Sequence, residues 1–164
     1  MPTVEELLAL DLLTLTEHTE RAGDHIDPLL HATSIEESLA ISKTCEVRRN
    51  GELVAYAMLN QVSGSSWFVR GFNTHPAHRT APVIRDLLLQ VGQVAQQEEI
   101  TELRSNVYKT NRLSMQFHRR LGFQVTKENA KGVEFFATVK ELASNLSIER
   151  TSPGKPVAAS HLKR

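Results

Sequence analysis

One cysteine, Cys45, is the whole thiol content of this chain, which excludes an internal disulfide framework and a cysteine-built zinc cluster. Charge of neither sign is in surplus: Lys plus Arg and Asp plus Glu each total 19 over 164 residues. No global field therefore draws the chain to nucleic acid or to anionic lipid. Long apolar runs are missing as well, and none approaches the roughly 18 residues of a membrane span. The acidic, leucine-rich start lacks the basic n-region of a signal peptide. No internal repeat is visible. What remains is one domain, long enough to bury a real core and expected in the cytoplasm.

Thr3-Val-Glu-Glu6 is a capping-box pattern ahead of a leucine-rich segment that runs to about Thr16. Asp27-Pro28 offers a second helix start, with proline at the first helical position. Ser34-Ile-Glu-Glu37 offers a third, opening a helix to about Ser42. The N-terminal third is therefore expected to be helical. Strands follow at residues 44–49 and 52–62, joined by the hairpin turn signal Asn50-Gly51. The second of them is apolar on both faces, as a central strand is. A third strand covers residues 67–74. Residues 83–97 form a helix with Ile84, Leu87, Leu88, Val91, Val94 and Ala95 on its inner face. Residues 103–108 make a fourth strand, and residues 124–127 and 133–139 close with a hairpin. From Ser144 onward the composition turns to Ser, Pro, Lys and Ala without periodicity. Residues 144–164 are expected as a flexible tail on a single domain of residues 1–143.

The densest local signal is Asn111-Arg-Leu-Ser-Met-Gln-Phe-His-Arg-Arg-Leu-Gly-Phe123. Asn111 is placed to accept a hydrogen bond from a first-turn backbone N–H. Leu113, Phe117 and Leu121 recur every four residues and share one buried face. Gly122 stands where a positive φ ends a helix. His118 lies at the edge of the apolar face, where it either packs without titrating or reaches a site.

This pattern, Asn-x-x-Ser-x-x-Phe-His-x-x-Leu-Gly-Phe, resembles the late acyl-CoA-binding helix of the GNAT family of N-acetyltransferases. The order of elements from about Cys45 to Val139 is similar to that family too. The resemblance implies a mixed, mostly antiparallel central sheet flanked by helices. It implies acetyl-CoA or another acyl-CoA as co-substrate, without a metal, and direct acyl transfer to a primary amine in a ternary complex. The family's pyrophosphate loop, of the type Arg/Gln-x-x-Gly-x-Gly/Ala, corresponds to Pro76-Ala-His-Arg-Thr-Ala-Pro-Val-Ile84. Arg79 stands at the basic position. Thr80, Pro82 and Ile84 occupy the places of the glycines, which allow close approach of backbone to phosphate. Proline also lacks an N–H, a loss tolerated in the first turn of a helix. Arg79, Thr80, Ala81, Pro82, Val83 and Ile84 are thus the expected phosphate cradle, of altered shape.

The same resemblance places carbonyl polarisation on backbone N–H groups near Phe72 and Thr74, where the strand before the loop splays from its neighbour. Asn106 is expected on the pantetheine amides, with Asn111 and Ser114 completing the cofactor contacts. His118 stands where the family commonly has a tyrosine that protonates the leaving thiolate, and an imidazolium is chemically suited to that task. His75, with His78 and Glu102 as further candidates, is expected as the base for the amine. Arg70 either recognises an acidic substrate group or faces outward. Arg112, Arg119 and Arg120 meet the CoA phosphates or form a solvated face. The acceptor is a small-molecule or protein amine, and the leucine-rich first helix points to a homodimer. The alternative is a GNAT-fold protein that binds CoA without catalysis or serves as an interaction module.

Overall fold

The computed structural model describes residues 1–151. Helix α1 (Val4–Arg21) opens with the expected capping box: Thr3 accepts from the Glu6 N–H, and the Glu6 side chain accepts from the Thr3 N–H. It runs past Thr16 to Arg21, and the hydroxyls of Thr14, Thr16 and Thr19 are satisfied within it by carbonyls four residues earlier. Helix α2 (Pro28–Ile41) starts at Asp27, whose carboxylate accepts from the N–H groups of Leu29 and Leu30. The two expected starts in this region thus merge into one helix. Nothing interrupts it before Ile41, so Ser34 is interior and its Oγ instead accepts from Arg70 Nη2 at 2.6 Å.

Six strands form one sheet: β1 (Lys43–Arg49), β2 (Glu52–Ser63), β3 (Ser66–Thr74), β4 (Glu102–Tyr108), β5 (Gln124–Glu128) and β6 (Gly132–Thr138), in the order β1-β2-β3-β4-β6-β5. Only the β3–β4 pair is parallel. A parallel pair needs a crossover, and α3 (Ala81–Gln97) supplies it. Before α3, a short 3-10 turn spans Pro76–His78. The helix begins at Ala81, with Thr80 at its N-cap.

β2 is buried on both faces, and this divides the core. Leu53, Tyr56 and Met58 pack against Leu7, Leu10 and Ile35 of α1 and α2. Val54, Ala55 and Ala57 pack against Val83 and Leu87 of α3. Helix α4 (Arg112–Leu121) shares α3's side, where Phe117 meets Ile84. Its ends follow the sequence signals: Asn111 Oδ1 accepts from the Ser114 N–H at 3.2 Å, and Gly122 takes φ 109°.

Helix α5 (Val139–Thr151) corrects the expected tail. Regular structure continues through Ser144 because the helix has something to pack on. Leu142 and Leu146 contact the core, and Asn145 Nδ2 donates to the Leu121 carbonyl at 3.0 Å, occupying an acceptor that the end of α4 leaves free. The rest of the expected tail, residues 152–164, lies outside the described residues. Among the described residues no helix is long and apolar enough to cross a membrane.

Candidate active site

Pairing between β3 and β4 runs from Ser66 opposite Glu102 to Val69 opposite Ser105, and there it stops. On the other side of β3, Met58 of β2 pairs with Gly71 while Leu59 pairs with Val69, so Arg70 is an extra residue on β3. Such a bulge bends its strand and increases the local twist. Beyond it, Gly71 to Thr74 pair only with β2, and Asn106 to Tyr108 pair only with β6. The sheet opens between two strands that began side by side. The edge of β3 facing this gap has no strand partner for its backbone groups.

A cavity of about 260 Å³ occupies the gap. Thr14, Leu15 and His18 of α1 line one end, and Phe72, Asn73 and Thr74 of β3 form a side wall. Arg79 and Ile84 line it near the start of α3, and Asn111, Ser114, Phe117 and His118 line it from α4. Since α1 lies on one face of the sheet and α3 with α4 on the other, the cavity passes through the sheet. Phe72 and Phe117 meet across it with ring centroids 5.1 Å apart.

Seven of the residues expected from sequence therefore line one cavity: Phe72, Thr74, Arg79, Ile84, Asn111, Ser114 and His118. Others do not line it. Asn106 is next to Ser105 on β4, and strand alternation sends it to the opposite face. There it lines a larger and shallower opening of about 650 Å³ with Asp24, Lys127 and Lys131. His75 is engaged elsewhere: its Nδ1 accepts from the Ala77 N–H at 3.0 Å and caps the 3-10 turn. The Val83 side chain is buried against β1 and β2, which leaves its backbone alone to face a ligand. Pro82 has no N–H, and Thr80 makes no side-chain cap bond. The Ile84 N–H already donates to the Thr80 carbonyl. The first-turn donors of α3 that remain among the described residues are the N–H groups of Ala81 and Val83. Arg79 is half-buried and donates from Nη2 to the Thr74 carbonyl at 3.2 Å, and its burial lowers its pKa.

His118 is held on every side. Its ring stacks on Phe135 at 4.8 Å and meets Phe123 edge-on. Nδ1 lies 2.7 Å from the Ser114 carbonyl, which only accepts, so Nδ1 carries the proton. Nε2 then accepts from Ser105 Oγ at 3.0 Å. Burial pushes the pKa down to about 4, against a smaller upward pull from the Ser114 carbonyl. The imidazolium expected at this position is therefore corrected to a neutral ring at neutral pH.

Two cavity residues escaped sequence reasoning. Asn73 Nδ2 donates to Asp11 Oδ1 at 2.7 Å, and Tyr56 OH donates to the same oxygen at 2.5 Å. His31 Nε2 meets the other oxygen, Oδ2, at 2.7 Å. Burial and the adjacent carboxylate hold the Tyr56 hydroxyl protonated far up the pH scale. Asp11 is a buried carboxylate on a leucine-rich helix, and that anomaly was the available signal. His18 offered none, because it is brought to the cavity by the fold. Thr110 Oγ1, just before Asn111, donates to the His18 carbonyl at 2.7 Å and pins the last turn of α1 there.

The sequence matches the model of the Acetyltransferase (GNAT) family over residues 7–123, and the chain belongs to that family. Among solved structures, the fold is similar to that of PaiA N-acetyltransferase from Thermoplasma acidophilum in complex with coenzyme A. That match has a TM-score of 0.66 at 14% identity and covers 82% of this chain and 92% of that one. Ribosomal-protein-alanine N-acetyltransferase from Brucella melitensis is similar with a TM-score of 0.59 at 17% identity, over 83% and 94% of the two chains. A GNAT family acetyltransferase from Elizabethkingia anophelis with acetyl-CoA bound is similar with a TM-score of 0.57 at 12% identity, over 65% and 82%. No curated protein matches the sequence.

Proposed function

We propose that this protein transfers an acyl group, in the first instance acetyl, from acyl-CoA to a primary amine by direct transfer in a ternary complex. The observation that carries the reading is the cavity through the split sheet, because it gives each substrate its own face. Acyl-CoA enters from the side of α3 and α4. Arg79, the Ala81 and Val83 amides and the N-terminal end of the α3 dipole meet its phosphates there. Asn111 and Ser114 flank its path, and the thioester carbonyl lies against the unpaired edge of β3 at Phe72 to Thr74. A preorganised N–H is worth most where charge develops on that oxygen. The amine enters from the α1 side and attacks the carbonyl carbon. The C–N bond forms, the C–S bond breaks, and the thiolate takes a proton from the nitrogen of the tetrahedral adduct. The buried ring of His118 shapes the wall and donates no proton at neutral pH.

The glycine-free loop with Pro82 in the first turn of α3 favours a second reading, a protein that binds CoA without catalysis. Calorimetric titration with acetyl-CoA and with free CoA, followed by thiol-release assays on amines, separates the two. Saturable micromolar binding with amine-dependent thiol release is expected. Binding without release for any amine class leaves the second reading, and no binding at millimolar cofactor overturns both. Leu13 of α1 and Leu29 and Leu30 of α2 are exposed and are the surface proposed for a homodimer. A monomer by light scattering at high concentration would remove it.

A further inference from the structure

His18 is the one cavity histidine that the protein leaves without a hydrogen bond. Among the described residues, His31 is bonded to Asp11, His75 to the Ala77 N–H, and His118 at both ring nitrogens. The His18 ring takes part in none of these. Its Nδ1 is buried with no partner at all. A buried polar atom without a partner is uncommon in a folded protein. The backbone, by contrast, is firmly placed, since the His18 carbonyl accepts from both Thr110 Oγ1 and the Ala22 N–H. A positioned residue with an uncommitted imidazole therefore faces the cavity from its α1 end.

A second group converges on the same end. A carboxylate only accepts, so the amide of Asn73 must turn its NH2 toward Asp11, as the 2.7 Å contact requires. The same Nδ2 lies 3.3 Å from Tyr56 OH, whose own proton goes to Asp11. Asn73 Oδ1 is thereby presented away from the network without a partner among the described residues, on a side chain that lines the cavity. The α1 end thus offers a hydrogen-bond acceptor fixed by a buried carboxylate, beside a group able to take up a proton.

We infer that His18 is the general base for the amine, and that Asn73 Oδ1 orients the amine nitrogen by accepting one of its N–H bonds. The inference rests on the acyltransferase reading given above. An ammonium ion entering from the α1 side gives one proton to the His18 ring. The neutral amine, held by Asn73, then has its lone pair free to attack the thioester carbon. The His18 proton passes to solvent after transfer, which balances one ammonium ion consumed against one amide, one thiol and one proton formed. The other titratable groups on the cavity wall are Arg79 and His118. Arg79 carries its charge at neutrality, and His118 is already neutral there.

The test uses the full chain. Histidine ring signals are followed by NMR, with His18 assigned by its loss in His18→Gln. The protein is saturated first with free CoA and then with a bisubstrate probe, CoA carrying an S-carboxymethyl group joined as an amide to propylamine. The His18 signals are expected to move with the probe and not with CoA alone. Failure of both ligands to bind overturns the acyltransferase reading itself. Binding of both with identical His18 signals overturns the assignment of the base. With acetyl-CoA and n-butylamine, His18→Ala is expected to slow thiol release about a hundredfold at unchanged acetyl-CoA affinity, and added imidazole is expected to restore part of the rate. A rate equal to that of the unaltered protein would also overturn the assignment.

Discussion

Ser105 of β4 donates a hydrogen bond to His118 Nε2 across 3.0 Å, joining the last residue of β4 that pairs with β3 to the helix that walls the cavity. The ring accepts this bond only while it is neutral. The folded pKa of about 4 lies below the ordinary value of 6.5. Between those values the unfolded chain holds a proton that the folded chain does not, so stability rises with pH across that window. His118 thus favours the fold fully above about pH 6.5, and this contribution, on the order of 3 kcal/mol, is lost as pH falls toward 4. Urea unfolding of the protein and of His118→Leu, repeated from pH 7 to pH 4, checks this. The variant should lose much of the acid dependence, and equal slopes would refute the neutral buried ring.

Replacing Arg79 tests the phosphate side. Its guanidinium lines the cavity near the N-terminus of α3, where Pro82 has removed one of the usual donors. A charge-assisted contact therefore carries a larger share of cofactor affinity than it would beside a full set of amides. Arg79→Ala is expected to weaken acetyl-CoA binding about tenfold, or about 1.4 kcal/mol. The difference should shrink as salt is raised. Calorimetry at two ionic strengths measures both effects, and an unchanged dissociation constant would take Arg79 out of the cofactor site.

A methyl group at Gly71 tests the polar network beneath the site. A Cβ there would lie 2.7 Å from Tyr56 OH and 2.9 Å from the ring. Tyr56 is buried and tethered to Asp11, so it has little freedom to withdraw. Gly71→Ala is expected to destabilise the fold by about 1–3 kcal/mol and to loosen Asn73, which leans on the same hydroxyl. Denaturant unfolding reports the first effect, and the Asn73 side-chain amide signals report the second. Wild-type stability would mean that Tyr56 yields without cost.

Much of this architecture was legible in the chain because its causes are local. Asn111 and Gly122 mark the ends of α4 through bonds and dihedrals that involve only their neighbours. β2 declares itself central by carrying apolar side chains on both faces. Other features depend on distance along the chain. Asp11, Tyr56 and Asn73 meet across separations of 45 and 62 residues, and nothing in their neighbourhoods foretells the meeting. His18 reaches the cavity because Thr110 binds its carbonyl, 92 residues away. His118 stands on the cavity wall, but its charge state follows from burial among side chains such as Phe135, which belongs to a strand remote in sequence. Asn106 depends on the same kind of distant placement, since it lines the opening beside Asp24 and Lys131 rather than the cavity between β3 and α4.

Arg70 is a single supernumerary residue on β3, and the bulge that absorbs it keeps the faces of Gly71 to Thr74 in step with β2. In a strand, each added residue exchanges the two faces for everything that follows unless a bulge absorbs it. With Arg70 in place, Phe72 meets Phe117 on the α4 side, and Asn73 meets Asp11 on the α1 side. Removing one residue there would let β3 keep step with β2 and leave Phe72 and Asn73 on their present faces, opposite Ala57 and Tyr56, but it would take away the bend that accompanies the divergence from β4. No exchange of side chains reproduces that change. The site is inherited as a count of residues before it is inherited as a set of functional groups.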